Sequence, residues 1–436
     1  MNTKGSGMEK DFTKLNNLTG RKLHHYIAEK ISSQHILIYC AQEFYEYIGG
    51  VYIHRYEPEI NQWIMELAKD KQTRQVLNEV STTLKNRHFI RPEKLNYSNL
   101  LNLKNGMIDL NNLDFETLKI IEHAPKYLST IRLNVEFDEK ASCLNWLKFL
   151  KEIFPEDVEG YKMKILQEFF GLCLTKDTEF EKCLWMIGKG ANGKSVIAAI
   201  LQVLVGEENS TSIAMESLVE SHYQADLFGK LVNVCSEPKS KSKVCDELLK
   251  RIISGDSLQA AGKFKKSLKF TPFCKVVICA NNHPRVDDRT EGYWRKLLIL
   301  DFKRQFSEKE QDKGLKKKLI KELDGIFLWA LYGLRNLKKR KYFDINEEMN
   351  ESIDKIKYEN NNVRVFVDEC CVINGISHMK KRDLFNKYVD WAKDSNAKPF
   401  GIINFGQELL KAAKGKVTEN LSGGHWWEGV RYEDYR

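Results

Sequence analysis

The segments Cys183-Leu-Trp-Met-Ile187 and Gly188-Lys-Gly-Ala-Asn-Gly193-Lys194-Ser195 adjoin each other and decide the fold of this chain. The first is apolar and uncharged, as in a strand buried on both faces. The second matches the phosphate-loop pattern G-x-x-x-x-G-K-[ST], and a helical pattern follows it over residues 195–205. A glycine-rich loop between a buried strand and a helix predicts a nucleotide site, because its backbone N–H groups can surround a phosphate.

The side chains of this loop have separate predicted roles. Lys194 is expected to reach the β- and γ-phosphates, and the Ser195 hydroxyl is expected to ligate Mg²⁺. The alternative is a glycine-rich turn with an incidental lysine, which the complete motif in its expected context disfavours. The predicted nucleotide-binding residues are Gly188, Gly190, Ala191, Asn192, Gly193, Lys194, Ser195 and Val196.

Three more apolar runs, at residues 231–235, 275–280 and 297–302, alternate with helical segments. This alternation predicts an α/β domain with a mainly parallel sheet. Glu237 follows the first of these runs, on a strand expected to neighbour the loop strand, and is the predicted catalytic base and second metal ligand. Asn281 follows the second run and is predicted to orient the attacking water. An exposed strand-end glutamate and a turn-forming asparagine are the respective alternatives.

The composition bounds the rest of the chain. Its 436 residues suit roughly two or three domains. The sequence contains no run long enough to cross a bilayer and no secretion signal. A net charge of +9 permits a nucleic-acid partner without requiring one. The ten cysteines lack zinc-site spacing, which favours reduced, buried thiols in a cytosolic protein.

The flanking regions differ from the centre. Apolar residues recur mostly at helical spacing from residue 20 to residue 165, interrupted by a hairpin turn predicted at Asn105-Gly106. The last part predicts a small helix-rich module that ends in a β-hairpin. The expected organisation is a flexible tail (1–20), a mainly helical N-terminal domain (21–165), the ATPase domain (166–345) and a C-terminal domain (346–436).

The order of four motifs resembles helicase superfamily three, and more narrowly the poxvirus and phage/plasmid primase–helicase branch. These motifs are the phosphate loop, the strand ending in Ser236-Glu237, the strand ending in Ala280-Asn-Asn, and Gly292-Tyr-Trp-Arg-Lys. The resemblance implies an AAA+-type, homo-hexameric ring that binds ATP and Mg²⁺ between subunits and threads single-stranded DNA. It also implies a C-terminal winged-helix-like domain, with Lys380-Lys381-Arg382 opening a helix and Trp426-Trp427 on the wing.

The resemblance implies further site residues. Arg295 corresponds to an arginine finger, although Lys296 stands where relatives usually carry a second arginine, and Arg289 is the reserve candidate. Capping of the strand or pairing with Asp301 is the alternative role of Arg295. A hairpin at this place in the family grips DNA in the ring. It would use Lys263, Phe264, Lys265 and Lys266, unless these residues form only a solvated turn.

The expected function is that of an ATP-dependent replicative DNA helicase acting on single-stranded and forked DNA during phage, plasmid or mobile-element replication. A replication initiator that melts origin DNA without processive unwinding, and an ATPase with another task, are the alternatives. The sequence lacks a spaced Asp-x-Asp pair with histidine for priming, so a separate primase or polymerase is a candidate partner. The expected location is the cytoplasm, of a bacterial host if phage or plasmid encoded.

Overall fold

A parallel β-sheet forms the centre of the molecule in the computed structural model, which describes residues 18–235, 246–262, 267–282, 290–395, 397–420 and 425–433. The helices are α1 (Gly20–Gln34), α2 (Glu57–Ala68), α3 (Arg74–Arg87), α4 (Leu144–Ile153), α5 (Tyr161–Cys173), α6 (Lys194–Val205), α7 (Ser221–Ala225), α8 (Asp246–Ser254), α9 (Glu291–Trp294), α10 (Leu315–Ile320), α11 (Leu323–Arg340), α12 (Glu347–Glu359), α13 (Asn362–Cys370), α14 (Lys381–Asp394) and α15 (Ile402–Ala412). The strands are β1 (Leu37–Cys40), β2 (Glu43–Ile48), β3 (Val51–Arg55), β4 (Leu100–Leu103), β5 (Gly106–Asp109), β6 (Cys183–Ile187), β7 (Ser210–Thr211), β8 (Val232–Cys235), β9 (Leu258–Ala260), β10 (Leu268–Phe270), β11 (Lys275–Ala280), β12 (Leu297–Asp301), β13 (Cys371–Lys380), β14 (Thr418–Asn420) and β15 (Trp426–Tyr432).

The central sheet has five strands in the order β12-β6-β11-β8-β7, and every pair is parallel. All five residues of β6 are buried, which agrees with its uninterrupted apolar sequence. The α/β architecture and the four predicted strands are therefore confirmed. The short strand β7 was not predicted, because two polar residues carry no strand pattern.

Two hydrophobic clusters cover the two faces of this sheet. Alternate residues of β6 enter different clusters: Leu184 and Met186 pack with α4, α5, α6 and α11, whereas Trp185 packs with α8. The larger cluster also includes residues of β4 and β5, so it extends well upstream of the sheet. The domain division at residues 165 and 345 stays a prediction.

Helices α5 and α11 pack with almost no space between their backbones. A Cβ atom placed on Gly333 would lie 2.4 Å from the backbone oxygen of Gln167. A Cβ atom on Gly171 would lie 2.4 Å from the backbone oxygen of Ala330, so each helix presents a glycine to the other. The absence of two side chains therefore permits this contact.

The N-terminal region differs from the mainly helical prediction. Helices α1 to α3 share a core, as expected, but β1, β2 and β3 form an antiparallel sheet between α1 and α2. Strand β2 alternates inward and outward side chains, and its outward positions carry tyrosine and glutamate. That short alternation, rich in aromatic residues, is a strand pattern within a region otherwise dominated by helical spacing. The hairpin predicted at Asn105-Gly106 is confirmed as β4 and β5.

The C-terminal module contains three helices and an antiparallel sheet in the order β13-β15-β14. The predicted terminal hairpin is confirmed by the pairing of β14 with β15. Helix α14 begins at Lys381, directly after Lys380. Trp427 lies in the core of the module, whereas Trp426 is partly exposed with the Lys380 ammonium 5.6 Å from its ring centre. The winged-helix comparison stays a prediction.

Candidate functional site

The phosphate loop connects the carboxyl end of β6 to the first turn of α6. Gly193 caps the helix with a φ of 89°, a left-handed conformation that favours glycine. Ala191 also has a positive φ, 59°. The first N–H groups of a helix have no acceptor within it, so the amino end of α6 offers donors and a positive dipole end to an anion.

The space around the loop is shaped by glycine. A Cβ atom on Gly193 would lie 2.9 Å from the side chain of Ile153 and 3.0 Å from that of Phe149, both on α4. A Cβ atom on Gly188 would lie 2.5 Å from the backbone oxygen of Phe302. Helix α4 and the segment after β12 therefore form two walls of the loop, whereas Gly190 has open space beside it.

Lys194 is turned back onto the loop. Its Nζ donates to the backbone oxygen of Gly188 and, at 3.0 Å, to Oδ1 of Asn192. Both Lys194 and Asn192 are buried, and the amide of Asn192 donates to the backbone oxygen of Lys189. The loop thus concentrates a cation and backbone donors around a small volume, which fits the phosphates of a nucleotide. Ser195 is exposed on the first turn of α6.

The segment after β12 contributes contacts that the sequence did not predict. The backbone N–H of Phe306 donates to the oxygen of Ala191 at 2.8 Å, and the Gln305 amide donates to the oxygen of Gly190 at 3.1 Å. Phe302 also donates its N–H to the oxygen of Ile187 at 2.7 Å. These bonds fix the loop from one side. The position directly after a strand that neighbours β6 is the signal that could have identified them.

Asn281 follows a strand that adjoins the loop strand. Strand β11 pairs directly with β6, and the N–H of Gly188 donates to the oxygen of Ala280 at 3.1 Å. The residue after Ala280 therefore begins at the edge of the phosphate loop, and Asn281 is exposed there. Burial raises the pKa of the Cys279 thiol on the same strand to about 11, and nearby Lys194 opposes that rise.

The predicted position of the Glu237 strand needs a correction. Strand β8 pairs with β11 and β7, so β11 separates it from β6, and it is not the immediate neighbour of the loop strand. Glu237 itself lies outside the described residues, as does the reserve candidate Arg289. Within the described ranges, no group of three or more His, Cys, Asp or Glu side chains could hold a metal ion.

Arg295 lies before the amino end of β12, whereas the phosphate loop follows the carboxyl end of the neighbouring parallel strand β6. It directly follows α9, two residues before β12 begins, whereas the loop follows the end of β6. Leu297 is level with Cys183 and Asp301 with Ile187, so the strands separate Arg295 from the loop by about 16 Å. Since that distance exceeds the reach of a side chain, Arg295 cannot contact the phosphate loop of its own chain.

The immediate surroundings of Arg295 settle one alternative. Its guanidinium lies 3.6 Å from Glu181 and is largely exposed, whereas Asp301 accepts a hydrogen bond from Ser352 at 2.6 Å. Pairing of Arg295 with Asp301 is therefore wrong. Lys296 is buried and contacts Glu181 at 2.8 Å, and this hydrogen bond holds the pKa of Glu181 below its usual range.

The hairpin predicted before β11 is present. Strands β9 and β10 pair in antiparallel register, with Leu268 opposite Ala260 and Phe270 opposite Leu258. The predicted DNA-binding residues Lys263, Phe264, Lys265 and Lys266 fall between these two strands in the sequence and lie outside the described residues. Their role stays a prediction.

Three family models match successive parts of the chain. The model described as D5 N terminal like matches residues 19–155, and the one described as Poxvirus D5 protein-like matches residues 358–429. Between them, residues 186–296 match a family of unknown function (DUF5906). That middle match contains the phosphate loop and Arg295.

Two viral proteins are similar to parts of this chain. The chain is 25% identical over 224 residues to "Putative helicase 121R" of Invertebrate iridescent virus 3, covering 49% of the chain and 23% of that protein. It is 25% identical over 201 residues to "Putative helicase L207/L206" of Acanthamoeba polyphaga mimivirus, covering 42% of the chain and 20% of that protein. The matched stretches thus span less than a quarter of either relative.

Two apo structures of the NrS-1 C-terminal region have a similar fold. One, the A form, gives a TM-score of 0.53 at 12% identity and covers 93% of this chain and 99% of that chain. The other, of residues 305–718, gives 0.54 at 11% identity and covers 94% of this chain and all of that chain. At such identities the likeness concerns the fold alone.

The parallel sheet, the loop at the carboxyl end of β6 and the similar structures define an α/β protein with a core of the P-loop type. Within this class of protein, the family models and the viral relatives named as helicases indicate a more specific family. Together these matches support the primase–helicase family of the poxvirus and phage type, within helicase superfamily three, as the family that this chain resembles. Among the described residues, no helix is both long and apolar enough to span a membrane.

Proposed function

We propose that this chain is an ATP-dependent replicative DNA helicase that acts as a hexameric ring on single-stranded DNA. The proposal is supported by one observation: the phosphate loop and Arg295 lie at opposite ends of two adjacent parallel strands, β6 and β12. Because Arg295 and the loop cannot meet within one chain, the loop of each chain would be completed by Arg295 of a neighbouring subunit. Such head-to-tail contacts form a ring when the rotation between subunits closes, as the proposed hexamer requires.

The residues of one chain would then divide into two halves. The loop backbone and Lys194 would hold the phosphates of ATP, and the Ser195 hydroxyl would be a ligand of Mg²⁺. The ion would supply neutralisation of charge on the transferred phosphoryl group. Asn281, which follows the partner of Gly188 in the adjoining strand, would orient the water molecule, and Glu237 stays the proposed base.

The second half faces the next subunit. Arg295 of one chain would stabilise the charge that develops on the nucleotide of its neighbour, which is worth on the order of 10³ or more in turnover. Glu181 holds the guanidinium on this face and, because Lys296 keeps its pKa low, remains ionised at neutral pH. Residues 263–266, between β9 and β10 in the sequence, are proposed to contact the DNA backbone in the ring.

The experiment compares the intact chain with Lys194→Ala and with Lys119→Ala, which removes an exposed lysine from the segment after β5. Forked-DNA unwinding and DNA-stimulated ATP hydrolysis are measured for each. Both activities are expected in the intact chain and in Lys119→Ala, and neither in Lys194→Ala. A rate of ATP hydrolysis that is unchanged by any DNA would refute the helicase proposal. Stimulated hydrolysis with melting confined to a defined duplex would favour the initiator alternative.

A further inference from the structure

A cleft lies in the N-terminal region, and none of its lining residues belongs to the phosphate loop. Its volume is about 960 Å³, at the upper end of the range that ligand sites occupy. Two short 3₁₀ turns, Pro92–Lys94 and Pro125–Tyr127, contribute its walls. The lining residues are Arg91, Pro92, Glu93, Lys94, Tyr97, Lys126 and Leu128.

The charge of this cleft is unbalanced. Arg91, Lys94 and Lys126 are exposed cations, and Glu93 is the sole acid among the lining residues. Within the described part of the chain, none of the three cations forms an ion pair with an acidic side chain. All three cations line the same cleft. The cleft therefore attracts a ligand with several negative charges.

An aromatic ring accompanies these cations. Tyr97 is 61% exposed, although tyrosine normally buries most of its ring. It lines the same cleft as the three cations and directly follows Asn96, which is buried. Cations that neutralise phosphates and an exposed ring on which a base can stack are the two components of single-strand binding surfaces. An acidic peptide would use the cations but would leave the ring without a function.

The backbone under the cleft is rigidly built. Asn96 and Leu128 both have left-handed conformations, with φ of 53° and 48°. The N–H of Asn96 donates to the oxygen of Leu128 at 3.0 Å, and the Asn96 side chain exchanges two 2.8 Å hydrogen bonds with Thr130. Left-handed residues persist where surrounding structure holds them in place, and they are concentrated at ligand sites. The Lys176 ammonium donates hydrogen bonds to the backbone oxygens of Asn96 and Ser98.

We propose that this cleft binds single-stranded DNA, with Arg91, Lys94 and Lys126 on the phosphates and Tyr97 stacked on a base. None of the lining residues belongs to the phosphate loop or to residues 263–266. Because the phosphate loop contributes nothing to the lining, we expect binding in the absence of ATP. The proposal therefore stands or falls separately from helicase activity.

The test uses the full chain with Lys263, Lys265 and Lys266 changed to alanine, which removes the proposed hairpin contacts. Binding of a fluorescein-labelled oligothymidylate is followed by anisotropy over a range of salt concentrations, without nucleotide. Replacing Arg91, Lys94 and Lys126 by alanine should reduce the slope of log affinity against log salt by about 2, since each lost phosphate contact contributes about 0.7. The matched control replaces the exposed Lys119, Lys140 and Lys309 by alanine and should leave the slope unchanged.

A second variant tests the stacking contact. Tyr97→Ala should weaken binding by roughly 5- to 100-fold, and Tyr97→Trp should retain it. A 4-thiothymidine oligonucleotide should crosslink to a peptide that contains Tyr97, identified by mass spectrometry. Equal slopes for the cleft triple variant and the control would overturn the proposal. So would loss of subunit assembly without loss of DNA binding, because the cleft would then be a protein interface.

Discussion

Mixing two inactive variants tests whether the nucleotide site is shared between subunits. Lys194→Ala removes the phosphate-binding cation, and Arg295→Ala removes the proposed contribution to the neighbouring site. Because the β12 and β6 strands place the two residues about 16 Å apart across one sheet, no chain can supply both to the same nucleotide. Each variant alone should therefore lose on the order of 10³ or more in ATP turnover.

A mixed ring behaves differently. In an equal mixture, a complete site needs Lys194 from an Arg295→Ala chain and Arg295 from a neighbouring Lys194→Ala chain. Each has a probability of one half, so about a quarter of the sites should be complete. ATP turnover of the mixture should rise far above either variant and approach about a quarter of the intact rate. The two proteins carry different affinity tags and are mixed before assembly, so that co-purification verifies mixed rings.

The control mixture combines Lys194→Ala with Lys194→Met, in which no arrangement restores a site. Turnover there should remain at the level of the single variants. The reasoning would be refuted if verified mixed assemblies of Lys194→Ala and Arg295→Ala stayed equally inactive. The arginine finger would then lie elsewhere, and Arg289 would be the next residue to test in the same mixing assay.

Three further predictions concern stability and are measured by urea unfolding of the purified chain. Gly333→Ala should lower the free energy of unfolding by roughly 1–3 kcal/mol, because its Cβ would lie 2.4 Å from the backbone oxygen of Gln167. An unchanged free energy of unfolding would mean that α5 and α11 can separate freely. Glu322→Ala should lower the free energy of unfolding by roughly 1 kcal/mol, because the Glu322 carboxylate accepts a 3.1 Å hydrogen bond from the Trp146 N–H at the start of α4. A Glu322→Gln control should lose less stability. Burial lowers the pKa of Lys275 from 10.5 to about 8, so the unfolded chain binds more protons between these values and stability rises with pH. The stability of the intact chain relative to Lys275→Met should therefore increase by about 2 kcal/mol between about pH 7.5 and about pH 9.5, and a constant difference would contradict the lowered pKa.

The centre of the fold could be predicted because its signals are local. An uncharged run, a glycine-rich loop and a helical pattern adjoin each other from Cys183 to Val205, and the structure confirms the predicted strand and helix there. The same logic predicted that Asn281 directly follows a buried strand, which is confirmed, whereas its role stays a prediction. The hairpin of β9 and β10 was also legible, from the alternation of residues around its turn.

The remainder depended on contacts between distant parts of the chain. In the sheet, β6 lies beside β11 and not beside β8. This strand order could not be predicted, because no local sequence pattern determines it. Gln305 reaches Gly190 across 115 positions of sequence. Lys275 is buried because it donates to the backbone oxygens of Thr175 and Phe273, although lysine is ordinarily expected at the surface.

The contact of Gly193 with Ile153 and Phe149 has a consequence for how such a chain can evolve. One wall of the nucleotide-binding loop belongs to α4, which is encoded well before the loop itself. A recombination event that joined residues 166–345 to an unrelated N-terminal region would therefore leave the loop without this wall and would expose the apolar surface that α4 covers. Gene fusions that preserve activity should accordingly have their junctions upstream of α4, and the helix and the loop should be inherited as one unit.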